Sequence, residues 1–249
     1  MTIKTLKRAD GSFVSYEKIE GNKPFGIIYL HGMYSSKKAL KAEFVKQFAE
    51  KNGLSYLSVD YCGHGESSGT VEDFRVGQCL TDVMDVIKAD FDRPFIAVGS
   101  SLGGWIGLLL AVRMPSLVKA LTLLAPGPDF LRDIWEGYLS DERKQFLKNG
   151  GILREKVDPI DFCLTYPMFE EAEPYFLLHD KIHYKGPVAI LHGDQDNLIP
   201  PEKMFQIKDA LESDNVTLYM IKGATHRLSD ERSLHLLNRV LSDFVKEEK

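Results

Sequence analysis

Apolar residues follow two rhythms along this chain. In short stretches they run almost unbroken, as in "PFGIIYL" (24–30), "RPFIAVG" (93–99), "VKALTLLAP" (118–126) and "PVAILHG" (187–193). Runs of that length predict strands buried on both faces of a sheet. "LSYLSVD" (54–60) and "VTLYMIKG" (216–223) read as two further strands. Elsewhere apolar residues return every three or four positions. Leu40, Phe44, Val45 and Phe48 share one face of a helix that Gly53 ends, and Leu234, Leu237, Leu241 and Phe244 form a stripe on the last helix. Thr70-Val71-Glu72-Asp73 has the form of a capping box opening a helix through about Ala89. "LGGWIGLLLAVRM" predicts a helix stopped by Pro115, and another helix is expected near 201–212. Residues 2–20 read as a hairpin turning at Asp10-Gly11.

Strand and helix alternate from residue 25 to 125 and again from 187 to the end. That order predicts an α/β fold, a mostly parallel central sheet with helices on both faces. The interval from about 127 to 185 breaks the alternation. It is polar, helical in flavour, and holds ten of the 26 aromatic residues, where even spreading gives about six. It is expected to be a helical lid inserted into one domain spanning 1–249.

Composition narrows the function. A net charge of −5 with 27% charged residues is ordinary and lacks the basic excess of a nucleic-acid binder. No apolar run approaches a membrane span, so stable membrane insertion is not expected. Cys62, Cys79 and Cys163 show neither a CxxC pair nor metal spacing, and no metal or cofactor is expected. Unpaired cysteines and a first segment, "MTIKTLKRADGSF", without signal or transit character lead to a cytoplasmic expectation.

Two stretches match G-x-S-x-G, a pattern that composition alone produces roughly 0.1 times in such a chain. Gly65-Glu66-Ser67-Ser68-Gly69 lies in loop sequence. Gly99-Ser100-Ser101-Leu102-Gly103 follows a strand directly and opens a helix directly. That is the setting of a nucleophile elbow, in which flanking glycines leave room for one serine to project alone. A small serine that only eases helix–sheet packing is the blander reading of Ser101. A serine nucleophile needs a base, and the base an orienting acid. His226, in a loop after the last strand, is the expected base. His192 sits at a strand end and is expected to brace its loop; His179 and His183 belong to the insertion, and His235 to the last helix. Asp194, Asp196 and Asp129 are the candidate acids. Asp196 is favoured because it lies at the loop tip, whereas Asp194 is placed to cap the His192-Gly193 turn. The N–H of Leu102, beside the serine, and that of Met33, in the first strand–helix loop, are the expected oxyanion donors. Substrate contacts are expected from Tyr34 in that loop and from Trp135 and Phe169 in the insertion. Phe130, Tyr138, Phe162 and Phe176 are further candidates for an acyl pocket. The insertion carries eight Lys or Arg against twelve Asp or Glu, which disfavours an anionic substrate unless Arg132 or Arg154 compensates.

"IIYLHGMYSS", "VDYCGHGESSG", "VGSSLGGW", "LHGDQDNLIP" and "GATHRL" together resemble the α/β-hydrolase superfamily over nearly the whole chain. "VGSSLGGW", "EEAEPYFLLH" and "AILHGDQDNLIP" are similar to the abhydrolase-domain-containing protein 10 group, described as palmitoyl-protein thioesterases and as esterases of mycophenolic acid acyl-glucuronide. The resemblance implies Ser101, Asp196 and His226 as a triad, with acyl esters or thioesters as substrates and an S-acylated protein as a partner. The residues alone leave two other readings open. The same triad serves C–C hydrolysis or perhydrolysis in other chemistry, or the fold binds without catalysis. A serine at 101 excludes an aspartate nucleophile.

Overall fold

The central strands take their place from burial on both sides. The computed structural model describes residues 2–157 and 160–247. Strands β1 (Thr2–Lys7), β2 (Phe13–Ile19) and β3 (Gly26–Leu30) lead to helix α1 (Leu40–Lys51) and β4 (Ser55–Val59). Helix α2 (Val76–Asp90), β5 (Phe95–Ser100), α3 (Leu102–Arg113) and β6 (Val118–Leu124) follow. The sheet order is β1-β2-β4-β3-β5-β6, completed by two later strands. β1–β2 and β2–β4 pair antiparallel, and every pair beyond β4 is parallel. In β5 the side chains alternate. Phe95 and Ala97 join the core under α2 and α3, while Ile96 and Val98 join the core under α1 and the last helix. Successive strand residues point to opposite faces, so a continuously apolar run is what two covered faces require.

The helices differ in how much of their circumference is covered. Leu102 to Ala111 of α3 are all buried. The apolar run has no polar stripe because the sheet, α2 and the insertion enclose it; Trp105 Nε1 donates to the Tyr175 carbonyl, and its ring stacks on Phe176. On α1 the buried face is Ala42, Val45, Lys46, Phe48 and Ala49. Leu40 departs from the expected stripe: it is the first helical residue and is 57% exposed. The Thr70–Asp73 capping box is present, yet it opens a single 3₁₀ turn over Val71–Asp73. Phe74 then leaves helical geometry to bury its ring completely, and α2 starts two residues later.

Residues 127–185 lie between β6 and the next sheet strand. They form α4 (Phe130–Asp133), a π turn at Ile134–Tyr138, α5 (Asp141–Lys148), a hairpin of β7 (Leu153–Val157) and β8 (Ile160–Leu164), and α6 (Tyr166–Ala172). The hairpin was not expected in a segment read as helical. Its strands are only five residues each, and LREKV places three charged residues in a row, so no strand period stands out. The sheet then closes with β9 (Val188–Gly193), α7 (Lys203–Ala210), β10 (Val216–Ile221) and α8 (Glu231–Glu247).

The start of α3 is pressed against β3. A Cβ on Gly103 would fall inside the contact distance of the Leu30 carbonyl, and one on Gly99 would meet the Gly103 carbonyl. Gly107, one turn on, has its nearest neighbour at 3.5 Å, the flexible end of Leu30. Gly103→Ala is therefore expected to destabilise by about 1–3 kcal/mol or more. Gly107→Ala is expected to be neutral or to gain up to about 1 kcal/mol from helix propensity. Urea unfolding of both variants checks the contrast, which equal shifts would contradict.

Candidate active site

The site is built where the sheet's parallel strands end. Ser101 is the single residue between β5 and α3, with φ of 55° and ψ of −115°. A positive φ is disfavoured for serine, so the backbone must hold it there. Ser101 N–H donates to the Leu124 carbonyl at 2.9 Å, and its own carbonyl accepts from Gly104 at 2.9 Å and Gly127 at 3.2 Å. The side chain is thereby turned into a cleft of about 1350 Å³.

His226 comes from the loop after β10 and Asp196 from the loop after β9. The structure brings both to Ser101. His226 Nε2 lies 3.0 Å from Ser101 Oγ, and His226 Nδ1 lies 2.8 Å from Asp196 Oδ2. With Nδ1–H donated to the carboxylate, Nε2 is free to accept the serine proton. The carboxylate is buried, and burial alone would push its pKa up. Hydrogen bonds outweigh it and hold Asp196 well below the usual carboxylate range: His192, His226 and the Ile199 N–H all favour the anion. Leu198 and Ile199 N–H donate to Oδ1, both at 2.9 Å. Such a relay activates a serine hydroxyl as a nucleophile.

The other two candidate acids are engaged elsewhere. Asp194 does not cap its own turn as expected. Its Oδ1 accepts from Gly223 N–H, which binds the loop that carries His226. Crossing to the neighbouring loop satisfies the Gly223 N–H just after β10. Asp129 is buried and accepts from Leu177 and Leu178 N–H at 2.8 and 2.9 Å, with Arg132 at 3.3 Å. It ties the two ends of the insertion together.

Leu102 follows the serine, and Met33 lines the same cleft. A Cβ on Gly32 would sit 3.4 Å from Ser101 Cβ, so the Met33 loop lies directly against the elbow. Among the described residues no acceptor takes the N–H of Met33 or Leu102. The loop is stiffened from behind by contacts that sequence reasoning did not foresee. His31 stacks on Tyr61 at 4.0 Å, and Tyr61 donates to the His31 carbonyl at 3.0 Å. Burial and the neighbouring His64 draw the His31 pKa down to about 3, so it serves as a neutral ring. Buried Lys37 pairs with buried Asp60. The aspartate and histidine of "VDYCGHGES" were the visible signal for this cluster.

His192 does brace its loop, as expected, through the Ile199 carbonyl at 3.0 Å. It also reaches Asp196 Oδ2 at 3.0 Å, a contact that its place at a strand end did not reveal.

Of the expected substrate contacts, Tyr34 lines the cleft, and so do Phe130, Tyr138 and Phe162. Trp135 and Phe169 do not. They pack on each other at 5.0 Å, with Tyr166 against Trp135, in the insertion's own core. An insertion of this size needs apolar side chains to hold itself together, and these two were taken for that. Phe176 is likewise used on Trp105. Arg132 is paired with Asp129, and Arg154 with Glu72.

Comparison with known proteins identifies the family. Residues 27–240 match the model of the alpha/beta hydrolase family. The chain is 31% identical over 242 residues to the Mus musculus protein named palmitoyl-protein thioesterase ABHD10, mitochondrial, covering 96% of this chain and 81% of that one. The Bos taurus protein of the same name is 30% identical over 246 residues, covering 98% and 80%. The solved structure of alpha/beta hydrolase domain-containing protein 10 from mouse superimposes with a TM-score of 0.92 at 28% identity, covering both chains completely. The chain belongs to the alpha/beta hydrolase family.

Tyr34 links the Met33 loop to the insertion. Its hydroxyl accepts from Cys163 N–H at 2.7 Å and faces the Cys163 carbonyl at 3.4 Å. Tyr34→Phe leaves that buried N–H unsatisfied, which costs about 1–3 kcal/mol. Amide exchange around Cys163 is expected to accelerate in the variant; unchanged exchange would show that the contact adds nothing.

Proposed function

We propose that this member of the alpha/beta hydrolase family cleaves carboxylic esters and acyl thioesters through a covalent acyl-enzyme on Ser101. The observation that carries the reading is the relay of Ser101, His226 and Asp196, at 3.0 and 2.8 Å. Ser101 Oγ bonds to the acyl carbon as its proton passes to His226 Nε2. The carbonyl oxygen becomes an oxyanion facing the N–H groups of Met33 and Leu102. As the tetrahedral adduct collapses, the bond to the leaving oxygen or sulfur breaks, and His226 returns the proton to that atom. Water, deprotonated by His226, then bonds to the acyl carbon and releases the acid, restoring the serine. No step calls for a metal or cofactor.

Residues 127–185 act in this reading as the lid of a single domain spanning the chain. Phe130, Ile134, Phe162 and Leu164 give it an apolar wall for an acyl chain. The relatives named as palmitoyl-protein thioesterases support the same substrate chemistry. An S-acylated protein thus joins small acyl esters and thioesters as a proposed substrate. Nucleic acid has no part in it, consistent with the net charge of −5. The cytoplasm is the proposed location, which three free cysteines suit. Among the described residues no helix is long and apolar enough to cross a membrane.

Steady-state kinetics test the roles. Asp196→Asn preserves shape but favours the wrong imidazole tautomer, and kcat is expected to fall on the order of 10⁴-fold. Asp194→Asn is expected to lose far less; the reverse ranking would give the acid's role to Asp194. For the lid, Phe130→Ala and Phe162→Ala are expected to shift the long-chain to short-chain ratio of kcat/KM by about 1–3 kcal/mol. Trp135→Ala is expected to lower thermal stability without that shift. A chain-length effect confined to Trp135→Ala would overturn the proposed pocket.

A further inference from the structure

His226 is presented to Ser101 by one tight turn. Leu228 N–H donates to the Thr225 carbonyl at 3.3 Å, so His226 and Arg227 occupy the two central positions of that turn. Leu228, at its exit, has a φ of 43° and is 2% exposed. The left-handed conformation is unfavourable for a leucine. Turning over the peptide between Arg227 and Leu228 would relieve it, because that rotation carries the φ of Leu228 out of the left-handed region. The same rotation would break the Leu228–Thr225 bond and release the base from its place.

The bonds of His226 itself do not hold that peptide, since both are made by the imidazole. Its carbonyl is held from across the chain, where Lys41 Nζ donates to the Arg227 oxygen. The peptide is thus bonded at both ends, its N–H to Thr225 and its C=O to Lys41. Lys41 stands in the first turn of α1, where the neighbouring Ala42 and Val45 are packed into the core, so its backbone is a firm anchor. The other lysine of the cleft wall, Lys203, is spent on Asp133 at 2.6 Å. Burial first, and the Arg227 charge second, pull the Lys41 pKa down to about 8, and Asp196 offsets part of this. The group is therefore an ammonium at neutral pH, and a charged donor makes the stronger bond.

We propose that Lys41 is a positioning residue for the base: by holding the Arg227 carbonyl it keeps the Thr225–Leu228 turn closed and His226 Nε2 within reach of Ser101. It acts through the turn, not on the reacting atoms. This rests on the hydrolase reading above and adds to it what fixes the base.

Kinetics on p-nitrophenyl octanoate at neutral pH, with fluorophosphonate labelling of Ser101, test it. Lys41→Met keeps the apolar stem and removes the donor, whereas Lys41→Arg keeps a charged donor. In Lys41→Met kcat is expected to fall about 10–100-fold, the scale of loss that a misplacement of about 1 Å produces. KM is expected to stay within about twofold, because the interaction lost is not one made with bound substrate. Labelling of Ser101 is expected to slow together with kcat, and Lys41→Arg to recover most of both. If Lys41→Met does not fold, Lys41→Gln, one atom shorter than lysine, replaces it under the same expectations. A purely structural Lys41 would lower the melting temperature and leave kcat of the folded protein unchanged. That result, a loss carried by KM, or no recovery in Lys41→Arg overturns the positioning role and leaves the hydrolase reading standing. Neither turnover nor labelling in the unsubstituted protein overturns both.

Discussion

One residue in a disfavoured conformation organises this molecule. Ser101 is held at a φ of 55° between a strand and a helix with no loop to relieve it. Such a conformation costs a serine about 1–3 kcal/mol, and the surroundings must supply that much. Its N–H is tied to the end of β6, its carbonyl accepts from α3 and from Gly127, where the insertion begins, and Gly32 packs against its Cβ. Gly99 and Gly103 carry no side chain because the strand and helix backbones approach within the radius of a methyl group. The Met33 loop, the elbow and the root of the insertion are thereby fixed relative to one another.

The second organising group is the Asp196 carboxylate. Burying an anion is costly unless it is well bonded. Here two imidazoles and two backbone N–H groups surround it, which keeps it ionised and fixes the His226 ring. His192 Nε2–H serves this carboxylate, which leaves its buried Nδ1 without a partner among the described residues. Asp129 is a second buried carboxylate held by backbone donors. By accepting from Leu177 and Leu178, it closes the insertion onto its own starting point. The apolar side chains of the insertion and the Ser101–His226 pair then face one cavity.

The sheet was legible because its central strands are buried on both faces and so lose their polar alternation. The elbow was legible because only one of the two G-x-S-x-G matches joins a strand to a helix without a loop. His226 and Asp196 could be read from their loops after predicted strands. The insertion resisted reading for physical reasons. Trp135 and Phe169 look like pocket aromatics in sequence, but a small segment packed on a larger domain consumes its bulkiest side chains in its own core. The β7–β8 hairpin is too brief for its period to register. Asp194 crosses to Gly223, and His192 reaches a carboxylate four residues away; both contacts depend on how two loops lie together, which no local pattern records.

A covalent intermediate on Ser101 is the pivot of the proposed chemistry. The direct measurement is to mix the protein with an excess of an octanoyl thioester, quench in acid within the first turnovers, and map the modified peptide by mass spectrometry. One octanoyl group on Ser101 is the predicted result, accumulating as a burst before steady-state release of the acid. Turnover with no acylated peptide at any quench time, or with the acyl group on Ser67 or another residue, would contradict it.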